Sequence, residues 1–186
     1  THPAQFARPE GRKEEKMKPR LFIRGNERGI REIGFKASGL ASERVRGDSR
    51  RAWDRLAEKE LRAYFAGRLA KFKSPCDLGD LPPFTQAVLR IAARIPYGEV
   101  RSYGWIAARL GKPKASRAVG NALARNPIPI LIPCHRVVRS DGRLGGYALG
   151  RSWKTRLLAL EKTHKKKLTR AGAKKTLQVR GLKAGS

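Results

Sequence analysis

Pro96-Tyr97-Gly98, Gly111-Lys112-Pro113, Asn126-Pro127 and Pro133 cut the second half of this chain into short pieces, and that punctuation limits its fold more than any other feature. Proline lacks the amide hydrogen a continuing helix or sheet needs, and glycine readily turns the backbone into left-handed space. Between the breaks the apolar residues keep helical spacing. Phe84, Val88, Ile91, Ala92 and Ile95 mark one helix, and Tyr103, Ile106, Ala107 and Leu110 a second, closed by Gly111. Pro113 suits the first turn of a third, whose inward face is Ala115, Val119, Ala122 and Leu123. An apolar segment, Ile128 to Ile132, then leads into Pro133-Cys134-His135-Arg136, and a last helix runs from Ser152 to about Lys162. A compact unit of short helices is the expected result.

The first half has a different texture. Residues 1–18 are polar and aperiodic, a flexible segment by composition. Leu21 to Arg24 and Ile30 to Phe35 flank a Gly25–Gly29 turn and predict two short strands. From Ser49, the residues Trp53, Leu56, Ala57, Leu61, Tyr64 and Phe65 predict a helix ended by Gly67. The expected class is therefore α+β. A small strand-plus-helix unit (19–75) and a linker (76–83) precede a mainly helical domain (84–162). A basic tail (163–186) follows.

Forty-three Lys and Arg against 15 Asp and Glu give a formal charge of +28 over 186 residues. Such a surface attracts polyanions, nucleic acid first. Two distant cysteines, Cys76 and Cys134, exclude a disulfide framework. No apolar run spans a bilayer, so a cytoplasmic protein is expected, nucleoid-associated, or nuclear in a eukaryotic host. The tail's lysines and arginines suit a DNA-affinity arm.

The two helices around Gly111-Lys112-Pro113 form a helix-turn-helix pattern. The outward face of the second carries Ser116, Arg117, Gly120, Asn121, Ala124 and Arg125. Those side chains are mostly small, with few long polar groups for major-groove reading. A bare face lets the backbone approach another surface closely, while Arg117 can reach into a base stack or a groove. Sequence-independent binding is the consequence.

Cys134 next to His135 admits a small core residue beside a hydrogen-bonded histidine. Three features favour chemistry instead. Pro133 fixes the bend ahead of the thiol. His135 and Arg136 supply an acceptor and positive potential, which promote a thiolate. Glu161 falls beside Trp153, Leu157 and Leu160 by helical spacing, and a carboxylate there needs a partner. A Cys134–His135–Glu161 relay is the economical inference.

The run Asn126-Pro127-Ile128-Pro129-Ile130-Leu131-Ile132-Pro133-Cys134-His135-Arg136-Val137-Val138 resembles the active-site signature of the O6-alkylguanine-DNA alkyltransferases. Ile95-Pro96-Tyr97-Gly98-Glu99-Val100, Ser102-Tyr103, Gly145-Gly146-Tyr147 and Leu157-Leu158-Ala159-Leu160-Glu161 extend the likeness over about Phe84 to Lys162. The resemblance implies repair of O6-alkylguanine, and of O4-alkylthymine, by transfer of the alkyl group to Cys134 in a single turnover. It also implies minor-groove docking on double-stranded DNA, with a monomer as the working unit and cooperative binding open. The fold it implies is a small N-terminal α/β domain with a β-sheet and a mainly helical C-terminal domain that holds a helix-turn-helix and the reactive-cysteine loop; no cofactor and no metal are implied. By the same resemblance Arg117 fills the gap left by the flipped nucleotide. Tyr103 crowds the phosphate and protonates the leaving base, and Asn126 braces the turn and the cysteine loop. The other DNA contacts would be Ser116, Ala118, Gly120, Asn121, Arg125 and Arg136. Tyr147, Ala148, Val137, Leu123 and Pro129 would line the base pocket.

Three other readings compete. A protein that flags alkylated DNA without transfer would lack the cysteine. A helix-turn-helix regulator would prefer one operator. A Cys-His hydrolase would turn over repeatedly and would not need Arg117.

Overall fold

The computed structural model describes residues 20–36 and 52–165. The 1–18 segment and the tail beyond 165 lie outside them. Strands β1 (Arg20–Asn26) and β2 (Gly29–Lys36) pair antiparallel, with a register shift between Arg24 and Gly25. Asn26 forms the turn, its Oδ1 accepting from the amides of Arg28 and Gly29 at 2.9 and 3.1 Å.

Helix α1 (Ala52–Phe65) buries Ala57, Glu60, Leu61 and Tyr64. The expected stripe is thus shifted: Trp53 and Phe65 stay exposed at the helix ends, and Glu60 takes a place in the core. Glu60 is tolerated because its carboxylate accepts from the Lys73 amide at 2.7 Å, the Ser74 amide at 3.1 Å and the Ser74 hydroxyl at 2.6 Å. Three donors offset its desolvation and fasten the segment after α1 to the helix.

The 76–83 segment is tied to the hairpin at its start. Ile30 donates to the Pro75 carbonyl and accepts from the Asp77 amide, both at 2.8 Å, and Asn26 Nδ2 donates to Asp77 Oδ2 at 2.6 Å. Cys76 thereby runs beside β2 in an isolated parallel bridge. Composition marked a boundary here, but backbone pairing decides the outcome.

The helical half comprises α2 (Pro83–Ala92), β3 (Arg101–Ser102), α3 (Tyr103–Arg109), α4 (Ser116–Ala124), a 3₁₀ turn at Cys134–Arg136, β4 (Val137–Val138) and α5 (151–165). Ser102 caps α3 by accepting from the Trp105 amide at 3.1 Å. At the other end Gly111 has φ +69°, and its amide and that of Lys112 bond back to the carbonyls of Ala108 and Ala107, which is a Schellman stop. Pro113 does not open α4. It begins a separate turn closed by Ala115 N–H to the Lys112 carbonyl, so α4 starts three residues later, at Ser116. Helix α5 continues through 165, past the expected start of the tail at 163.

One apolar core joins both halves. Ile30 and Ile33 of β2, Leu61 of α1, Val88 and Leu89 of α2, Ile106 of α3, Val119 of α4, Ile128 and Ile130 of the loop and Leu157 of α5 are all buried in it. Each such side chain contributes about 1.5–3 kcal/mol of burial. The Ile33 amide also donates to the Pro127 carbonyl at 2.8 Å, so the N-terminal hairpin is tied directly to the loop that carries the cysteine.

Candidate active site and nucleic-acid interface

The cysteine loop is shaped by Asn126. Its Oδ1 accepts from the Ile128 amide at 3.0 Å. Its Nδ2 donates to the Ile132 carbonyl and to Cys134 Sγ, each at 3.0 Å. Between these anchors Ile130 adopts φ +75°. For a β-branched residue that conformation is costly, about 1–3 kcal/mol, and persists only where the surroundings over-determine it. Here the Ile132 amide bonds to the Ile128 carbonyl and the Ile130 side chain is wholly buried. The bend before the thiol therefore comes from Asn126 and Ile130 together with Pro133.

Strand β4 pairs parallel with β3, Arg101 opposite Val137 and Ser102 opposite Val138. This sets the start of α3 beside the cysteine turn. Tyr103 lies half-buried against α4 at Gly120 and against Gly145. A Cβ at Gly145 would stand 2.6 Å from Tyr103 Oη, and that residue has φ +67°, so only glycine fits there.

Glu161 is the electrostatic centre. Its Oε1 meets His135 Nε2 at 2.9 Å and accepts from Tyr64 Oη at 2.7 Å and Arg136 Nη2 at 2.8 Å. Its Oε2 accepts from Arg136 Nε at 2.9 Å and the Gly98 amide at 2.8 Å. Burial by itself raises the carboxyl pKa, but the hydrogen bonds and charges of His135 and Arg136 win and bring it down to about 2. An ionised Glu161 is an acceptor only, so the proton shared with His135 sits on Nε2 and leaves the Nδ1 lone pair free. Nδ1 has no partner among the described residues. Burial holds the imidazole below its ordinary 6.5 even though Glu161 pulls the other way, which keeps it neutral and able to accept a proton.

Cys134 is 6% exposed. Burial raises its thiol pKa, while the Asn126 hydrogen bond and the Lys154 charge oppose that rise. The thiol thus has little tendency to ionise unaided, but is held by a fixed donor and precedes in the chain a histidine whose imidazole is neutral. That arrangement suits a nucleophile ionised as it reacts.

Similarity to known proteins agrees with this chemistry. Residues 83–163 match the family model for the DNA-binding domain of 6-O-methylguanine DNA methyltransferase. A methylated-DNA–protein-cysteine methyltransferase of Methanosarcina barkeri is 42% identical over 149 residues, 77% of this chain and 91% of the relative. The chain belongs to the methylated-DNA–protein-cysteine methyltransferase family. A Mycolicibacterium paratuberculosis member is 50% identical over 108 residues, covering 58% of this chain and 65% of that one. The crystal structure of Mycobacterium tuberculosis OGT in complex with DNA superposes with a TM-score of 0.65 at 39% identity, covering 77% of this chain and 87% of that chain.

On this methyltransferase fold, α4 presents Arg117, Ala118, Asn121 and Arg125 to solvent, with Ser116 and Gly120 half-buried. Arg136 departs from expectation. It is 5% exposed, and its guanidinium is spent on Glu161 and on the Ile95 carbonyl at 2.6 Å. It is not available as a DNA contact, because the buried carboxylate claims it.

The five expected base-pocket residues do not share one surface. Pro129 and Ala148, with Asn126, line a cleft of about 570 Å³ that reaches the hairpin at Arg24 and Ile33. Tyr147 packs edge-on to His135, with ring centroids 6.2 Å apart. Val137 and Leu123 are in the core, so Val137 offers only backbone groups. Two functional side chains carried no sequence signal. Tyr64 reads as one more core aromatic of α1, and Lys154 as one more cation. Lys154 is wholly buried and donates to the carbonyls of Val137 at 2.6 Å, Gly146 at 3.2 Å and Leu144. Burial lowers its pKa to about 8, still charged at neutral pH, with three N–H groups for three carbonyls. It staples the loop after the cysteine to α5.

Proposed function

We propose that this protein repairs O6-alkylguanine in double-stranded DNA by moving the alkyl group onto its own Cys134. The observation that carries the proposal is the Glu161–His135 relay adjoining a cysteine held by Asn126. The thiol proton passes to His135 Nδ1, directly or through a water, and Glu161 stabilises the imidazolium. Sγ then attacks the alkyl carbon; the C–S bond forms as the C–O6 bond breaks, and the bonding pair stays on guanine. Tyr103 Oη donates a proton to the leaving base, with backbone amides near Val137 and Ala148 steadying O6. The product is a thioether, which has no carbonyl for water to attack, so each molecule acts once. O4-alkylthymine offers the same alkyl–oxygen bond and is a further substrate.

DNA binding by α4 is supported by its bare outward face and by the DNA complex of the Mycobacterium tuberculosis relative. In this reading α4 docks in the minor groove and Arg117 occupies the space of the extruded nucleotide. Arg117→Ala is then expected to slow repair in duplex about a hundredfold, in keeping with about 3 kcal/mol for a lost finger contact. Reaction with free O6-benzylguanine should hold within about twofold, since a free base needs no flipping. Equal losses on both substrates would refute the finger role. Recognition without transfer is the weaker reading, because it leaves the cysteine and its relay unused. Label carried from methylated DNA to the Cys134 peptide decides between the two.

Tyr64 enters through Glu161. Its hydroxyl competes with His135 for Oε1. Removing it concentrates the carboxylate's charge on the imidazole and raises the imidazole pKa. Tyr64→Phe should therefore move the acid limb of the transfer rate to higher pH and cost about 1 kcal/mol of stability. An unmoved limb, followed by stopped-flow transfer against pH, would leave Tyr64 a packing residue only.

A further inference from the structure

Arg94, Pro96, Arg101, Trp105, Arg109 and Ile91 enclose a cleft of about 530 Å³ that the repair chemistry does not use. We propose that this cleft is a second DNA contact, which clamps a backbone phosphate outside the stretch that holds the damaged base. The proposal rests on the reading that Tyr103 and α4 face the lesion.

Two guanidiniums converge here on one indole, and a third, that of Arg94, lines the same cleft. Arg109 stacks on Trp105 with Cζ 4.2 Å from the ring centroid, and Arg101 lies at 5.6 Å. Stacking fixes the plane of a guanidinium while leaving its N–H edge free, which prepares it for two-point binding of a phosphate. Arg101 is further oriented by Glu99 Oε2 and the Val100 carbonyl, each at 2.8 Å. Glu99 is the one carboxylate in contact with the cluster among the described residues, and Lys165 shares it. Arg94 and Arg109 meet no carboxylate among the described residues. With Glu99 already shared between Arg101 and Lys165, the concavity keeps a net positive charge that an added anion would offset. A covering role for the Trp105 face needs only the stacked side chains, and does not account for Arg94.

The position selects the ligand. Along α3, Trp105 and Arg109 lie about 200° and 240° round the axis from Tyr103 at about 100° per residue. The cleft thus opens on a flank of α3 away from the site of base extrusion. The first helix of a helix-turn-helix crosses the phosphate backbone, so a phosphodiester beyond the lesion is the anion within its reach. A free nucleotide carries the same chemistry, and the experiment separates the two.

The test compares wild type with the pair Arg94→Ala/Arg109→Ala and the charge-preserving pair Arg94→Lys/Arg109→Lys. Binding to undamaged duplexes of about one and about three helical turns is measured against salt. On the longer duplex the slope of log affinity against log salt should shrink by about 1 to 2 in the alanine pair. On the shorter one it should not change. The lysine pair should keep the slope, which counts charges, but bind the longer duplex about threefold to tenfold more weakly than wild type at fixed salt, because lysine neither stacks nor grips two oxygens at once. Reaction with free O6-benzylguanine, which reads the active site separately, should be unaffected in both. A slope unchanged in the alanine pair on the longer duplex overturns the proposal, as does an equal change on both lengths. Full recovery of affinity by lysine also overturns it, by reducing the cleft to diffuse charge. Saturable quenching of Trp105 fluorescence by adenosine monophosphate below about 1 mM, in a variant with Trp53 and Trp153 replaced by Phe, would assign the cleft to a free nucleotide instead.

Discussion

Duplex DNA carrying labelled O6-methylguanine is expected to lose its label to the peptide containing Cys134, up to one equivalent per protein and no further. The limit follows from the product: a thioether on Cys134 offers no leaving group at neutral pH. Cys134→Ser should abolish transfer, a loss of more than about 10⁴-fold, since a serine hydroxyl is a far weaker nucleophile than a thiolate and this base is built for a thiol. Cys76→Ser should leave transfer unchanged. Burial pushes the Cys76 thiol up to about 12, with Glu60 adding to the effect, so it stays protonated and inert. The pH dependence is equally specific. His135 acts as a neutral base and its pKa lies below 6.5. The rate should therefore hold from neutrality down to about that value and decline only in more acid solution. Label on Cys76, several equivalents transferred, or a rate already falling between pH 8 and 7 would each contradict the relay.

How much of this site could be read in advance depended on the range of the interaction. Cys134 and His135 are neighbours in sequence, and Glu161 announced itself as a carboxylate at the edge of an apolar stripe. Local chemistry was enough for all three. Arg136 supplies the positive potential expected near the thiol but not the DNA contact that the resemblance implies, because its partner, 25 residues on, is a buried carboxylate that no local pattern reveals. Tyr64 is separated from Glu161 by 97 residues, and no periodicity distinguishes a tyrosine whose hydroxyl is used from one that only packs. Helix periodicity located α2 and α3 well. It misplaced the start of α4, since Pro113 suits a first helical turn and an ordinary turn alike, and the backbone bonds between Lys112 and Ala115 choose the latter. The pairing at the start of the 76–83 segment is hidden for a similar reason: the partner of Cys76 is Ile30, far upstream. Composition registers what a segment is made of, not what it meets.

The second large effect concerns Glu161 as a structural charge. Glu161→Gln is expected to destabilise the protein by about 3–5 kcal/mol, because Arg136 is left buried without its anion. The amide also presents N–H groups toward donors on Arg136, Tyr64 and Gly98 that need acceptors. The same residue sets an acid limit on folding. Its folded pKa, about 2, lies below the ordinary 4.5, so its contribution is complete above 4.5 and is lost as pH falls toward 2. At about 1.4 kcal/mol for each tenfold change in proton affinity, that loss is about 3 kcal/mol. Urea denaturation of wild type between pH 6 and 2.5 should show a decline of this size, and the Gln variant a correspondingly shallower one from a lower start. Parallel profiles would mean that other carboxylates govern acid unfolding. A variant within 1 kcal/mol of wild type at neutral pH would mean that Arg136 finds another anion. Neither result is expected while one carboxylate satisfies His135, Arg136, Tyr64 and the Gly98 amide at once: the group that orients the catalytic base is also the one that makes a buried guanidinium tolerable, and the site cannot lose one role without the other.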